Sequence, residues 1–249
     1  MKQNYFKNLL AALLLLCSTV ATAHDFVVDG IYYSFTSNYD PVTDSWSSVN
    51  CVAVTYRGDE PGSIEEYFNF VDIPAEVTYE GTTYQVVAIG DNAFEGNAGL
   101  RNLIIPNSVK RIGNFAFGEC DGLSGIEIPN SVTSIGDGAF LGCDGLTSIE
   151  IPNSVTSIGG SAFSGSSLTS IEIPNSVTSI GGYAFTSTPW YNNQPDGVVY
   201  AGKCLYKYKG DMPANTSIAI EEGTLSISPI AFEYCTGLTN IEIPNTVIS

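Results

Sequence analysis

Apolar and polar positions along this chain repeat on a beat of about 23 residues, far longer than the period of a helix or a single strand. One unit reads Ile128-Pro129-Asn130-Ser131-Val132-Thr133-Ser134-Ile135-Gly136, followed by Ala139-Phe140, Cys143, Gly145-Leu146 and Ile149. Marking each unit by its Ile-Pro pair gives Ile105, Ile128, Ile151 and Ile173, in steps of 23, 23 and 22 residues; the short step falls in Ser164-Gly165-Ser166-Ser167. Upstream, Ile73-Pro74 stands 32 residues before Ile105, and the nine extra residues, 79–87, read as a hairpin turning at Glu80-Gly81. Downstream, Ile220 lies 47 residues after Ile173, and Ile243 lies 23 further on.

A unit of this length cannot bury its own apolar side, so successive coils must stack and share a core. Leu146-x-x-Ile149-x-Ile151 ends in the alternation of a short half-buried strand. Pro152, which has no N–H for a ladder, stops it. Val155, Ile158, Ala162 and Phe163 complete the interior, with a chain turn expected at Ile158-Gly159. At about 1.5–3 kcal/mol per buried large apolar side chain, these positions outweigh anything the surface contributes.

Two regions break the beat. Residues 24–70 carry hairpin chemistry, with Asp29-Gly30 between Phe26-Val27-Val28 and Ile31-Tyr32-Tyr33, and an alternating run from Cys51 to Tyr56. They are expected to cap the first coil, whose backbone groups would otherwise be unpaired. The second break, at about 186–213, holds Trp190, Tyr191, Tyr200, Tyr206 and Tyr208. A hairpin over 198–206 is expected to stand in for one coil of the solenoid, which otherwise runs over residues 71–249.

The repeat I-P-N-S-V-T-S-I-G-x-x-A-F-x-x-C-x-G-L-T-S-I-E resembles the BspA-type leucine-rich repeat of bacterial surface and secreted proteins. The resemblance covers residues 71–249 apart from the second break. It implies a leucine-rich-repeat solenoid with a short parallel β-sheet on its concave face and an irregular convex side. It also implies roles in adhesion or in contact with host and matrix. The strand is not followed by the asparagine of the better-known leucine-rich repeat.

Export is expected from the first 23 residues. Lys2 and Lys7 precede an apolar run, residues 9–16, and Ala21-Thr22-Ala23 offers a cleavage site. The run is shorter than the roughly 20 residues a membrane span needs, and no later stretch reaches that length. Cys17 sits where a lipoprotein would be acylated, but the bulky Leu16 before it favours cleavage after Ala23. The secreted, periplasmic or cell-surface chain then begins at His24, with seven basic residues against twenty-six acidic ones, a net charge of −19. Such a field is unsuited to nucleic acid or an anionic membrane surface.

Catalytic chemistry is poorly provided for. The single histidine is His24, at the mature terminus, and the chain has no glycine-rich phosphate loop, C-x-x-C pair or zinc-spaced cluster, so neither cofactor nor metal is expected. Carboxylates alone leave a carbohydrate-active enzyme as a remote alternative. The sharpest surface feature is a column of acids at one repeat position: Glu127, Glu150, Glu172 and Glu242, with Asp72 in the first unit and Ile104 and Ala219 interrupting. Lying between the inward residues of each strand, these side chains should point outward, stacked as like charges about 4.8 Å apart. They are either a stripe for a basic partner or calcium, or a solvated face copied with the repeat. Trp190 and Tyr191 are either an interface anchor or filler sealing the break. Cys120, Cys143 and Cys235 share one position, and adjacent copies could bridge or remain as buried thiols. The sequence stops within a unit, so either it is truncated there or the uncapped coil is expected to fasten to a second copy or another protein, the route by which a scaffold could self-associate. Its function is expected to be that of a binding or adhesion module for an extracellular protein or glycan.

Overall fold

The computed structural model describes residues 24–40, 45–55 and 69–249; the expected leader, with Cys17, lies outside them. In chain order the strands are β1 (Phe26–Val28), β2 (Ile31–Asp40), β3 (Ser45–Thr55), β4 (Asn69–Asp72), β5 (Glu76–Tyr79), β6 (Thr82–Ile89), β7 (Leu100–Ile104), β8 (Arg111–Ile112), β9 (Gly125–Ile126), β10 (Ser134–Ile135), β11 (Ser157–Ile158) and β12 (Ser179–Ile180). A single helical turn, α1 (Pro189–Asn192), separates these from β13 (Gly197–Ala201), β14 (Cys204–Lys209), β15 (Thr216–Ala219), β16 (Ser226–Ile227) and β17 (Leu238–Glu242). The chain is a solenoid of parallel-stacked coils.

Each coil carries strands at two places. The Leu-x-x-Ile-x-Ile segment forms one column, β4-β7-β9, continued by a bridge between Glu150 and Glu172 and, beyond the break, by β15 and β17. At Ile158-Gly159, where a chain turn is expected, the structure instead places Ile158 in a two-residue Ser-Ile strand, and these pairs form a second column, β6-β8-β10-β11-β12, with Ser134 opposite Ser157 and Ile135 opposite Ile158. Gly159, directly after this pair, allows the close approach of coils: its N–H donates to the carbonyl of Ile135 (2.9 Å).

The remaining side of each coil is a run of turns that also bonds coil to coil, in the opposite sense. Phe117 N–H donates forward to Ala139 (2.8 Å), Phe140 to Ala162 (2.7 Å) and Phe163 to Ala184 (2.8 Å). Side chains extend this pairing. Asp91 Oδ1 accepts from Asn114 N (2.9 Å), Asn114 Oδ1 from Asp137 N (2.9 Å) and Asp137 Oδ1 from Gly160 N (2.6 Å). These bonds pair backbone groups from coil to coil without helix, as their burial demands.

The core is the same set of side chains repeated. Val155, Ile158, Ala162 and Phe163 are buried, as are their copies one coil away. Phe94, Phe117, Phe140, Phe163 and Phe185 form a file of near-parallel rings with centroids 5.2–5.8 Å apart, a geometry that adds about 0.5–1.5 kcal/mol per pair to simple burial. Cys120 and Cys143 are unbridged and buried. Each thiol donates to a carbonyl of the preceding coil, Phe94 (2.9 Å) and Phe117 (3.0 Å) respectively. Burial pushes the Cys120 thiol up to about 12 and raises that of Cys143 as well.

At the N-terminal end, β1 and β2 form a hairpin whose turn, Asp29-Gly30, has positive φ at both residues, the type I′ geometry. β3 then runs parallel to β6, pairing with the first coil. The nine extra residues lie within a matching hairpin, β5–β6, turning at Glu80-Gly81, again with positive φ at both residues. The two hairpins pack through Phe26, which stacks on Tyr79 at 4.3 Å and touches Tyr33, Phe35 and Tyr84. The inserted hairpin thus provides a hydrophobic seat for the cap.

In the second break, β14 pairs with β16 in the register that β11 has with β12, Cys204 opposite Ser226 and Leu205 opposite Ile227. The β13–β14 hairpin divides two cores. Val199, Ala201, Cys204 and Tyr206 join the N-terminal one, while Leu205, with Val198, Tyr200 and Tyr208, joins the core of Ile218, Ile220 and Ala231. Tyr206 closes the phenylalanine file edge-on against Phe185, and its hydroxyl accepts the Phe185 N–H (3.0 Å) that a further coil's carbonyl would otherwise take.

Candidate functional site

The face that gathers candidate residues is the outward side of the β4-β7-β9 column. Alternation along each strand sends Val71, Leu103, Ile149 and Ile151 inward, where they are buried, and Asp72, Glu127, Glu150 and Glu172 outward, where they are exposed. Asp72 lies opposite Ile104, and Glu150 opposite Glu172. Flanking the acids are Ser148 and Ser170 on one side and Asn153 and Asn175 on the other; together these two coils line an open depression of about 710 Å³. Ile149, Ile151, Ile171, Ile173 and Pro174 complete the lining beside these polar groups.

Electrostatics leave this face unneutralised. The salt bridges among the described residues are Arg111–Asp91 (3.2 Å) and Lys207–Glu233 (3.3 Å), neither of which involves the column. Among the described residues no group of three or more His, Cys, Asp or Glu side chains is placed to hold a metal ion. Glu127, Glu150 and Glu172 occupy consecutive coils. Glu242 is exposed too, but it lies in the separate β15–β17 pair, beyond the break.

Trp190 and Tyr191 stand in α1 rather than on this face. Thr188 caps the turn, its hydroxyl accepting from Tyr191 N (3.1 Å) and donating to the Phe185 carbonyl (2.7 Å), and Pro189 supplies a preset φ at the first position. Trp190 N–H donates to Leu168 (2.8 Å), and its ring meets Phe185 edge-on at 5.0 Å. Tyr191 meets Tyr206 edge-on at 5.7 Å. Both rings are half-buried against the core. Lys209 ties this segment to β14 by donating to the Asn192 carbonyl (2.7 Å) and to that of Gln194.

Two residues of the acidic face were given no binding role by the sequence. Phe70 and Ile104 are 53% and 51% exposed, and both project outward, on β4 and β7. Ile104 was visible as an interruption of the acids. Phe70 was legible too, two residues before Asp72, but its strand begins at Asn69, earlier than the repeat beat indicates. A second cluster, joining two coils across the break, left no sequence signal. Tyr183 OH donates to Glu233 (2.7 Å), Lys207 Nζ pairs with the same carboxylate, and these contacts hold the Glu233 carboxyl below its usual range.

Similar proteins share this architecture. A leucine-rich-repeat protein from Bacteroides ovatus is 33% identical, with a TM-score of 0.61 over 90% of this chain; the chain spans about half, 54%, of its length. The T. pallidum leucine-rich-repeat protein TpLRR is 24% identical with a TM-score of 0.50, covering 85% of this chain and 80% of that one. No functionally curated protein matches the chain in sequence. The family model described as a BspA type leucine-rich-repeat region matches residues 75–192 and 206–249, in six copies. With two strand columns built from that repeat and most of its length matched, the chain belongs to the BspA-type leucine-rich-repeat family.

Proposed function

We propose that this chain is an exported, non-catalytic binding protein that presents the outward face of its strand column to a macromolecule outside the cell. The observation that carries the reading is the row Glu127, Glu150 and Glu172. These three exposed carboxylates are held in consecutive coils, with no ion pair to any of them among the described residues. Stacked like charges cost stability, and a cationic partner would relieve that cost. The family's repeat architecture, an extended surface made of many equivalent positions, favours binding over chemistry. A glycosidase would need two carboxyls across a substrate cleft, whereas Glu150 and Glu172 are strand neighbours in an open depression.

The test is a binding screen of the purified chain from His24 against matrix proteins, mucins and glycans, with and without calcium. Saturable binding abolished by combining Glu127→Gln, Glu150→Gln and Glu172→Gln is the expected result. Trp190→Ala and Tyr191→Ala, judged beside circular dichroism because both rings pack on the core, test whether the insertion shares in contact. Silence across the screen, together with concentration-dependent self-association, would favour a structural scaffold of the envelope instead.

A further inference from the structure

We infer that the partner of this face is a cationic polypeptide segment in extended conformation, docking an apolar side chain on Phe70 and Ile104 and its basic side chains along Glu127, Glu150 and Glu172. The inference rests on the binding reading above and names the chemical class and orientation of the partner.

Two features of the sheet surface carry it. Phe70 and Ile104 are both about half exposed, although neighbouring outward positions are polar or glycine. They sit diagonally on paired strands, Phe70 opposite Asn102 and Ile104 opposite Asp72, within side-chain reach of one another. Gly125, opposite Asn102 on the next strand, is bare; a Cβ there would meet only Asn102 Oδ1, at 3.6 Å. The apolar pair therefore borders a low floor that leaves room for an incoming side chain. The unneutralised carboxylate row begins in the coil after Ile104 and continues for three coils.

The dimensions suit an extended chain. From the coil of Phe70 to the coil of Glu172 is four coil steps, about 19 Å at the usual strand spacing. Residues i, i+2, i+4 and i+6 of an extended segment, all on one face, span about 20 Å. One apolar anchor on Phe70 and Ile104 followed by three alternate lysines or arginines thus spans the stripe. A polypeptide combines these groups on one edge. An anionic lipid surface or a nucleic acid is repelled by the carboxylates, and a neutral glycan leaves them unpaired.

The experiment titrates a fluorescein-labelled peptide, GSFSKSKSKG, into the chain by anisotropy, with GSSSKSKSKG as its partner of equal charge. The expected result is saturable binding of the first peptide, weakened about tenfold in the second and about tenfold by Ile104→Ser or Phe70→Ser. Combining Glu127→Gln, Glu150→Gln and Glu172→Gln should abolish it, as should high salt. Equal binding of the two peptides, or indifference to Ile104→Ser and Phe70→Ser, overturns the inference. Glutamate-dependent capture of a glycan without peptide binding overturns it as well, while leaving the broader binding function intact.

Discussion

Replacing Gly159 by alanine tests whether backbone proximity between coils sets the solenoid's spacing. A Cβ at Gly159 would lie 2.5 Å from Asp137 N and 2.5 Å from the Gly136 carbonyl carbon, both backbone atoms of the preceding coil. Neither can rotate away, so the coils must separate. Separation strains three bonds: Gly159 N to Ile135 O (2.9 Å), Thr156 N to Thr133 O (2.9 Å) and Gly160 N to Asp137 Oδ1 (2.6 Å). Overpacking costs about 1–3 kcal/mol and each weakened bond up to about 1 kcal/mol. The stiffer unfolded chain returns about 0.4–1 kcal/mol, so the expected net loss is about 2–4 kcal/mol. Gly160 is the control next door. Its Cβ would meet Gly182 O at 3.3 Å and Asp137 Oδ1 at 3.5 Å, and Gly160→Ala should stay within about 0.5 kcal/mol of the parent. Urea unfolding followed by circular dichroism measures both. If the two variants agree within about 0.5 kcal/mol, backbone contact does not set the coil spacing.

Three further outcomes are expected. Cys120 and Cys143 should resist alkylation until the chain unfolds. Because their folded thiol values are raised, stability should fall as pH climbs from the ordinary thiol value near about 8.5 towards about 12; urea midpoints at several pH values, compared with Cys120→Ala/Cys143→Ala, isolate their share. Tyr206→Phe should cost about 1–3 kcal/mol, the penalty of leaving the Phe185 N–H buried without an acceptor, and thermal unfolding reads it. Combining Glu127→Gln, Glu150→Gln and Glu172→Gln should raise stability at low salt by a few tenths of a kcal/mol per residue, and added sodium chloride should shrink the gain; a loss of stability would show that these carboxylates make favourable contacts within the fold.

What could be read from the sequence was what repeats. The period placed Val155, Ile158, Ala162 and Phe163 in the core, and the Asp29-Gly30 and Glu80-Gly81 turns announced both hairpins, because those positions follow from burial and local φ. The second strand column escaped notice because Ser134-Ile135 and Ser157-Ile158 are only two residues long, too short to display a period of two. They are strands because the coils on either side align them, a property of stacking rather than of local sequence. The acids were found because they recur, whereas Phe70 occurs once on the face and no repeat points to it. Tyr206 was counted among the aromatics of the break, but its role as a hydrogen-bond acceptor depends on where the hairpin sits in space.

The hairpin of β13 and β14 has an implication for how such a chain can grow. Each of its faces is already sealed against a different core, Val199 and Tyr206 on one and Leu205 and Tyr208 on the other. Coils added or deleted on either side would meet the same partition they meet now, without any need to recut its side chains. Repeat number thus becomes an adjustable length, decoupled from the joint, and the distance between the carboxylate stripe and anything beyond the break can change in steps of about one strand spacing.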